Sequence, residues 1–287
     1  MGLLDTIRFI VRHPLTSKHP VQSVVDFVRW QVGSRLVPGP VAVPFVAGTR
    51  LLVARGMTGA TGNIYVGLHE LEDMAFTLHY LAPGDVFADV GANIGSYTVL
   101  AAGAAHAQVH AFEPVPATFV NLEANVSLNR IEGRCTLHRY GVGAEASELV
   151  MTSESDVQNH VLRPGETAPN TVRVMVRKLD DLLDGARPVL VKVDVEGFER
   201  EVLQGGAQTF GHTGAAIIEA WTNHDEVLAL VRGYGLQPVD YDPFTRTLTP
   251  RSGLHPTRGN TIVVRDVQEA AERVRRAPRF EVKRTTI

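Results

Sequence analysis

Cysteine is almost missing from this chain: Cys135 is the single one among 287 residues. One thiol builds neither an intramolecular disulfide framework nor a cysteine-based zinc site, so it reads as a small apolar residue in a reducing compartment. Long hydrophobic runs are missing too. No stretch of about 18 apolar residues could span a bilayer, and the N-terminus lacks an apolar segment followed by a small-residue cleavage site. The expected location is cytoplasmic. A basic excess is also lacking: with 28 Lys and Arg against 31 Asp and Glu, nothing in the charge suggests a nucleic-acid partner. There is no internal repeat and no low-complexity segment. What is present, 44% hydrophobic and 21% charged residues, suits a soluble globular chain with a substantial core.

Residues 1–37 read as two helical segments broken at His13-Pro14. They carry Arg8, Arg12, Lys18, Arg29 and Arg35 against Asp5 and Asp26. Contact with an anionic membrane surface is one reading; packing on the main domain or on a partner subunit is the favoured one. Strands follow over 41–53, turning at Gly48-Thr49, and 55–62 reads as a glycine-rich loop. From Gly84 short apolar runs (86–90, 109–112, 136–140, 189–195, 215–219, 261–264) alternate with helical stretches (96–105, 116–129, 198–210, 225–234). That rhythm predicts an α/β fold, a mostly parallel sheet with helices on both faces. The segment between Leu149 and Val176 reads as strand, loop and strand, and 267–276 as a short charged helix. The expected organisation is an N-terminal helical and β extension over 1–68, a Rossmann-like domain over 69–266 and a helical tail over 267–287.

In open parallel sheets ligands bind beyond the carboxyl ends of the strands, where strand order reverses. The first strand of this domain runs into Asp89-Val90-Gly91-Ala92-Asn93-Ile94-Gly95-Ser96. Gly91 and Gly95 permit a tight turn and close backbone approach, but the middle glycine of a dinucleotide fingerprint is absent. A cofactor without phosphates is therefore favoured. The second strand ends in Ala111-Phe112-Glu113-Pro114, placing Glu113 about twenty residues past the loop, where an acid can accept from both ribose hydroxyls. S-adenosylmethionine meets these conditions: a ribose for Glu113, an aminoacid tail for the loop with its ammonium on Asp89, and a positive sulfonium suited to nearby acids. Further strand ends carry Asp194 with Glu196, and Glu219, so four strands send carboxylates to one rim.

Asp89 to Gly95, Ala111 to Pro114, the Leu-x-x-Asn-x-x-Leu-Asn run from Leu122 to Asn129, Leu179-Asp180 and Lys192 to Glu199 together resemble the FkbM family of S-adenosylmethionine-dependent methyltransferases. The resemblance covers roughly residues 69–222. It implies a class I methyltransferase fold with a seven-stranded sheet whose last strand is antiparallel, and O-methylation of a sugar, glycan or polyketide-like metabolite. It also implies that Asp89, Gly91, Ala92, Asn93 and Gly95 hold the methionine part, Glu113 and Pro114 the ribose, and Gly141 and Val142 the adenine, with Asp194 beside the cofactor. Asn159-His160 would sit in the insertion above the methyl group.

An attacking hydroxyl must lose a proton, and a histidine near neutrality is suited to take it. His160 is the first candidate, with Asp194 and Glu196 competing and Lys192 on the same strand edge. Asn159, His160, Glu219 and Trp221 are the expected acceptor contacts. A divalent cation on Asp194 and Glu196 is the disfavoured alternative to metal-free transfer. The other class of function in view is a non-catalytic binding or scaffold protein attached to a membrane or partner by its N-terminal helices. The expected partner is a small-molecule or glycan acceptor, and assembly into a homo-oligomer stays open.

Overall fold

The computed structural model describes residues 2–153, 160–162, 167–220, 223–255 and 260–287. At the N-terminus helices α1 (Leu3–Arg12) and α2 (Pro20–Leu36) precede a hairpin of β1 (Val41–Pro44) and β2 (Arg50–Val53). The break between the helices falls where predicted: His13 is extended because proline disfavours α geometry in the residue before it. Pro20 then opens α2, where its missing N–H costs nothing. The glycine-rich 55–62 stretch, expected as a loop, is largely helical. Helix α3 (Thr58–Val66) forms there, and α4 (Leu71–Tyr80) follows without having been anticipated. Burial of Ala60, Tyr65 and Val66 outweighs the weak helix propensity of glycine, and Gly62 itself is required because a Cβ would collide with the His69 ring.

The strands then follow in order: β3 (Val86–Val90), β4 (Gln108–Phe112), β5 (Cys135–His138), β6 (Gly141–Val142), β7 (Ser147–Thr152), β8 (Thr171–Arg177), β9 (Leu190–Val193), β10 (Ala215–Glu219), β11 (Gln237–Asp242), β12 (Thr247–Pro250) and β13 (Asn260–Val264). The main sheet has the order β12-β11-β13-β10-β9-β3-β4-β5, and β6, β8 and β7 form a separate three-stranded sheet in the insertion. Pairings among β3, β4, β5, β9 and β10 are parallel, while β13 runs antiparallel between β10 and β11. This is the Rossmann-like α/β architecture. It differs from seven strands by one: β12 folds back on β11 across a turn whose backbone N–H groups, from Phe244 and Thr245, donate to the Asp242 carboxylate. Neither strand of that hairpin was read from the sequence, because Pro238, Asp240 and Asp242 interrupt the apolar run. Two helices likewise replace one over 198–210, Glu199–Gly205 and Ala207–His212, and the helix at Ser96–Val99 widens into a π-helical turn over Leu100–Ala104.

Strand alternation divides the buried side chains between two faces. Phe87, Val109, Leu190, Ala215 and Ile217 join one cluster with Ile10, Phe27, Trp30, Phe76 and Leu78, so the N-terminal helices and α4 cover that face. Ala88, Val90, Val191, Val193, Ala216 and Ile218 join Leu179, Leu203, Phe210 and Val227 on the other. The C-terminal helix Val267–Arg276 ends in a small hairpin whose Val282 and Ile287 return to the first cluster. Chain order reverses between β3 and β9, which places the crevice at their carboxyl ends.

Candidate active site

Where β3 ends, Gly91 takes φ +80° and lies so close to the Asp194 carbonyl that a Cβ would overlap it. The glycine thus lets two strand ends meet. Asn93 follows in the left-handed region at φ +51°, its Oδ1 accepting from the Ile94 N–H at 2.7 Å, and asparagine tolerates this conformation better than most residues. Gly95 sits behind the turn against Leu122, where it starts the helix. Asp89 is fully buried. Its Oδ2 accepts from the Thr98 hydroxyl at 2.6 Å, and its Oδ1 has no partner. Burial raises its pKa, with Lys192 and the Thr98 bond opposing.

Glu113, at the end of β4, is 7% exposed and is built into the same loop. One carboxylate oxygen accepts from Asn93 N–H at 3.1 Å and the other from Val115 N–H at 2.8 Å. Burial pushes this carboxyl up to about 7 despite those bonds. Each oxygen keeps a second lone pair for a ligand. Pro114 is half-buried beside it, and the Gly141-Val142 strand closes the neighbouring wall through its pairing with Val176 and Arg177.

β9 contributes the rest. Lys192 shares its face of the sheet with Asp89, its direct neighbour on β3. Its Nζ donates to Asp194 Oδ2 at 2.6 Å and stands 4.7 Å from the centre of the Tyr97 ring. Burial alone would lower the lysine pKa; the carboxylates of Asp194, Glu70 and Asp89 more than reverse this and raise it. For Asp194 burial works upward, but the Lys192 ammonium and a hydrogen bond with Glu219 hold it below the ordinary value. Glu196 follows in a left-handed turn at φ +51°, exposed, and raised by burial of its carboxyl and by Asp194, with His160 and Lys192 opposing. Carboxylate oxygens of Asp194, Glu196 and Glu219 lie within 4.8 Å of one another, the spacing of a candidate cation site. Two of the three already have partners, Asp194 in Lys192 and Glu219 in Asp194.

Asp89, Gly91, Ala92, Asn93, Glu113, Pro114, Gly141, Val142, Lys192, Asp194, Glu196 and Glu219 all line one cleft of about 940 Å³. His160 does not line it directly. The insertion holds it through Thr152, whose Oγ1 accepts from the His160 N–H at 3.1 Å, within electrostatic reach of Glu196. Asn159 and Trp221 fall outside the described residues. Sequence reading missed Glu70, which accepts from the Tyr97 hydroxyl at 2.8 Å and from Asn260 Nδ2 at 2.9 Å and lines the cleft within electrostatic reach of Lys192. It also missed Phe27, Gln31 and Tyr65, which extend the cleft under the N-terminal helices. The one available signal for Glu70 was an acid opening a helix after the glycine-rich stretch, and that helix was not recognised.

A model of the methyltransferase FkbM domain matches residues 89–238, just over half of the chain. The chain belongs to this family. It is 33% identical over 206 residues to 31-O-demethyl-FK506 methyltransferase FkbM of Streptomyces tacrolimicus, covering 57% of this chain and 77% of that one. It is 31% identical over 138 residues to the hexuronic acid methyltransferase AglP of Haloferax volcanii (47% and 55%), and 32% identical over 148 residues to methyltransferase 1 of Beauveria bassiana (43% and 59%). The chain thus spans a little over half the length of the last two.

Proposed function

We propose that this protein transfers a methyl group from S-adenosylmethionine to a hydroxyl of a sugar, glycan or secondary metabolite in the cytoplasm. The observation that carries the reading is the pairing of an unpartnered, buried Asp89 oxygen with a Glu113 carboxylate tied into the same glycine loop. An orphaned acceptor is costly unless a donor arrives, and an ammonium is such a donor. The residues therefore fit the cofactor: Asp89 and the Gly91–Gly95 loop would hold its aminoacid end, Glu113 its ribose, and Gly141 and Val142 its adenine. When bound, it supplies an electrophilic methyl on a sulfonium.

The chain's own work is to align the acceptor and remove its proton. Asp194, held ionised and already engaged by Lys192 and Glu219, is a weak base that serves as a fixed negative charge. Glu196 has the raised pKa a general base needs, and His160, within its electrostatic reach, would complete the pair that receives the proton. The relatives' names support the acceptor class, one specifying hexuronic acid and the other an O-demethyl compound. Cation-assisted transfer is disfavoured by the partners that Asp194 and Glu219 already have, so EDTA is expected to leave turnover unchanged. Calorimetry with S-adenosylhomocysteine tests the reading as a whole: binding is expected, and its absence in the folded protein would sink it. His160→Ala and Glu196→Gln are expected to leave that binding intact while lowering methylation of hydroxylated acceptors followed by mass spectrometry.

A further inference from the structure

Helix α2 has two apolar faces. Ser23, Phe27 and Trp30 are buried against the protein, and Phe27 and Gln31 reach the cleft, with Gln31 donating to the Tyr65 hydroxyl at 2.8 Å. On the opposite side Val21, Val25, Val28, Val32 and Leu36 recur at helical spacing and are 78%, 37%, 50%, 52% and 76% exposed. A helix packed on one side normally turns polar residues outward, and one that is apolar all round is ordinarily covered all round. The charges around the stripe indicate the cover. Arg29 and Arg35 flank it on either side, Arg35 while donating to Gln31 Oε1 at 2.7 Å beside the cleft, and Arg8, Arg12 and Lys18 are also exposed in the same segment. Of the acids there, Asp5 is exposed, while Asp26 is half-buried and paired with Lys283 at 3.4 Å.

We infer that α2 docks this protein on an anionic lipid surface, with its valine stripe in the boundary between headgroups and acyl chains and its arginines on the lipid phosphates. A second copy of the chain is a poorer occupant. Self-pairing would bring Arg29 and Arg35 of two helices together with no free acid in the helix to answer them, and a single helical stripe is short of the roughly 800 Å² per partner of a stable interface. A lipid surface asks for neither shape complementarity nor a matching acid. No helix among the described residues is long and apolar enough to cross a membrane, so the contact is peripheral. The consequence for access is direct: the helix that would rest on the membrane also walls the far end of the cleft.

Flotation of the full chain with vesicles tests this without reference to methyl transfer. The protein is expected to float with phosphatidylcholine vesicles containing about 30% phosphatidylglycerol and not with phosphatidylcholine alone, less so as salt is raised. Val25→Asp with Val28→Asp is expected to reduce partitioning by about tenfold or more at unchanged circular dichroism, because both side chains are exposed. Arg29→Gln should give a smaller loss in the same direction. No flotation of the wild type, or equal flotation of wild type and double variant, would overturn the inference. So would a dimer in sedimentation that the double variant dissociates while the wild type ignores vesicles.

Discussion

A lysine in the middle of a parallel sheet is tolerable only with partners, and Lys192 has them: it is 2% exposed, salt-bridged to Asp194, against the Tyr97 ring and in the field of Asp89 and Glu70. Removing it strands buried acids. Lys192→Met is therefore expected to cost about 3–5 kcal/mol in urea unfolding, the range for breaking a buried pair from one side. Glu113→Gln keeps size and one acceptor but removes the charge, so S-adenosylhomocysteine affinity should fall roughly ten- to hundredfold, about 1.5–3 kcal/mol for hydrogen bonds to a charged group. Calorimetry on both proteins checks it, and equal affinities would remove the ribose assignment. At this scale the positions of Asp89, Glu113 and Asp194 were legible because each follows an apolar run directly. Glu70 and Tyr97 were not, because their meeting joins residues 27 positions apart through packing that no local pattern encodes.

Among the elements, β3, β4, β10 and the helix Pro116–Leu128 were readable because apolar periodicity and their bounding turns agree. The hairpin of β11 and β12 was hidden because Pro238, Asp240 and Asp242 break the apolar run of β11, although that strand pairs on both sides, with β12 and with β13. Helix α3 was hidden by glycines whose low helix propensity is overridden by burial. The same distinction governs α2, where function and packing separate by face. Trp30 is 8% exposed and belongs to the core that covers the sheet, but it does not line the cleft. Trp30→Ala is expected to lower stability by about 3 kcal/mol or more, as large-to-small core changes do. Affinity for S-adenosylhomocysteine should change less than about twofold, since Trp30 itself does not line the cleft. Thermal melts and calorimetry on one preparation separate the two effects, and a large loss of affinity in a folded Trp30→Ala protein would show that α2 supports the cofactor end as well.

The molecule as a whole holds two opposed sets of buried titratable groups. His13 and His138 are lowered to about 4 and His79 to about 3, in each case first by burial. Between those values and 6.5 the unfolded chain binds more protons than the native one, so their contribution makes stability rise with pH. Glu113 and Glu199 are raised from 4.5 to about 7, again first by burial, Glu199 while accepting from the Gly197 N–H at 2.7 Å. Here the native state keeps protons that the unfolded chain has released, so stability falls as pH rises from about 4.5 to about 7. The two slopes oppose each other where the windows overlap, from about 4.5 to 6.5, each bounded by about 1.4 kcal/mol per pH unit per group. Single substitutions should therefore uncover them better than the wild-type curve does. Relative to wild type, Glu199→Gln is expected to gain stability steadily from pH 4.5 to 7, because it deletes a falling contribution. His138→Gln is expected to lose relative stability from pH 4 to 6.5, because it deletes a rising one. Urea midpoints at constant ionic strength measure both differences. A flat difference curve for either variant would mean that its group titrates in the folded protein as it does in the unfolded chain, and one of the opposite sign that its pKa is shifted the other way.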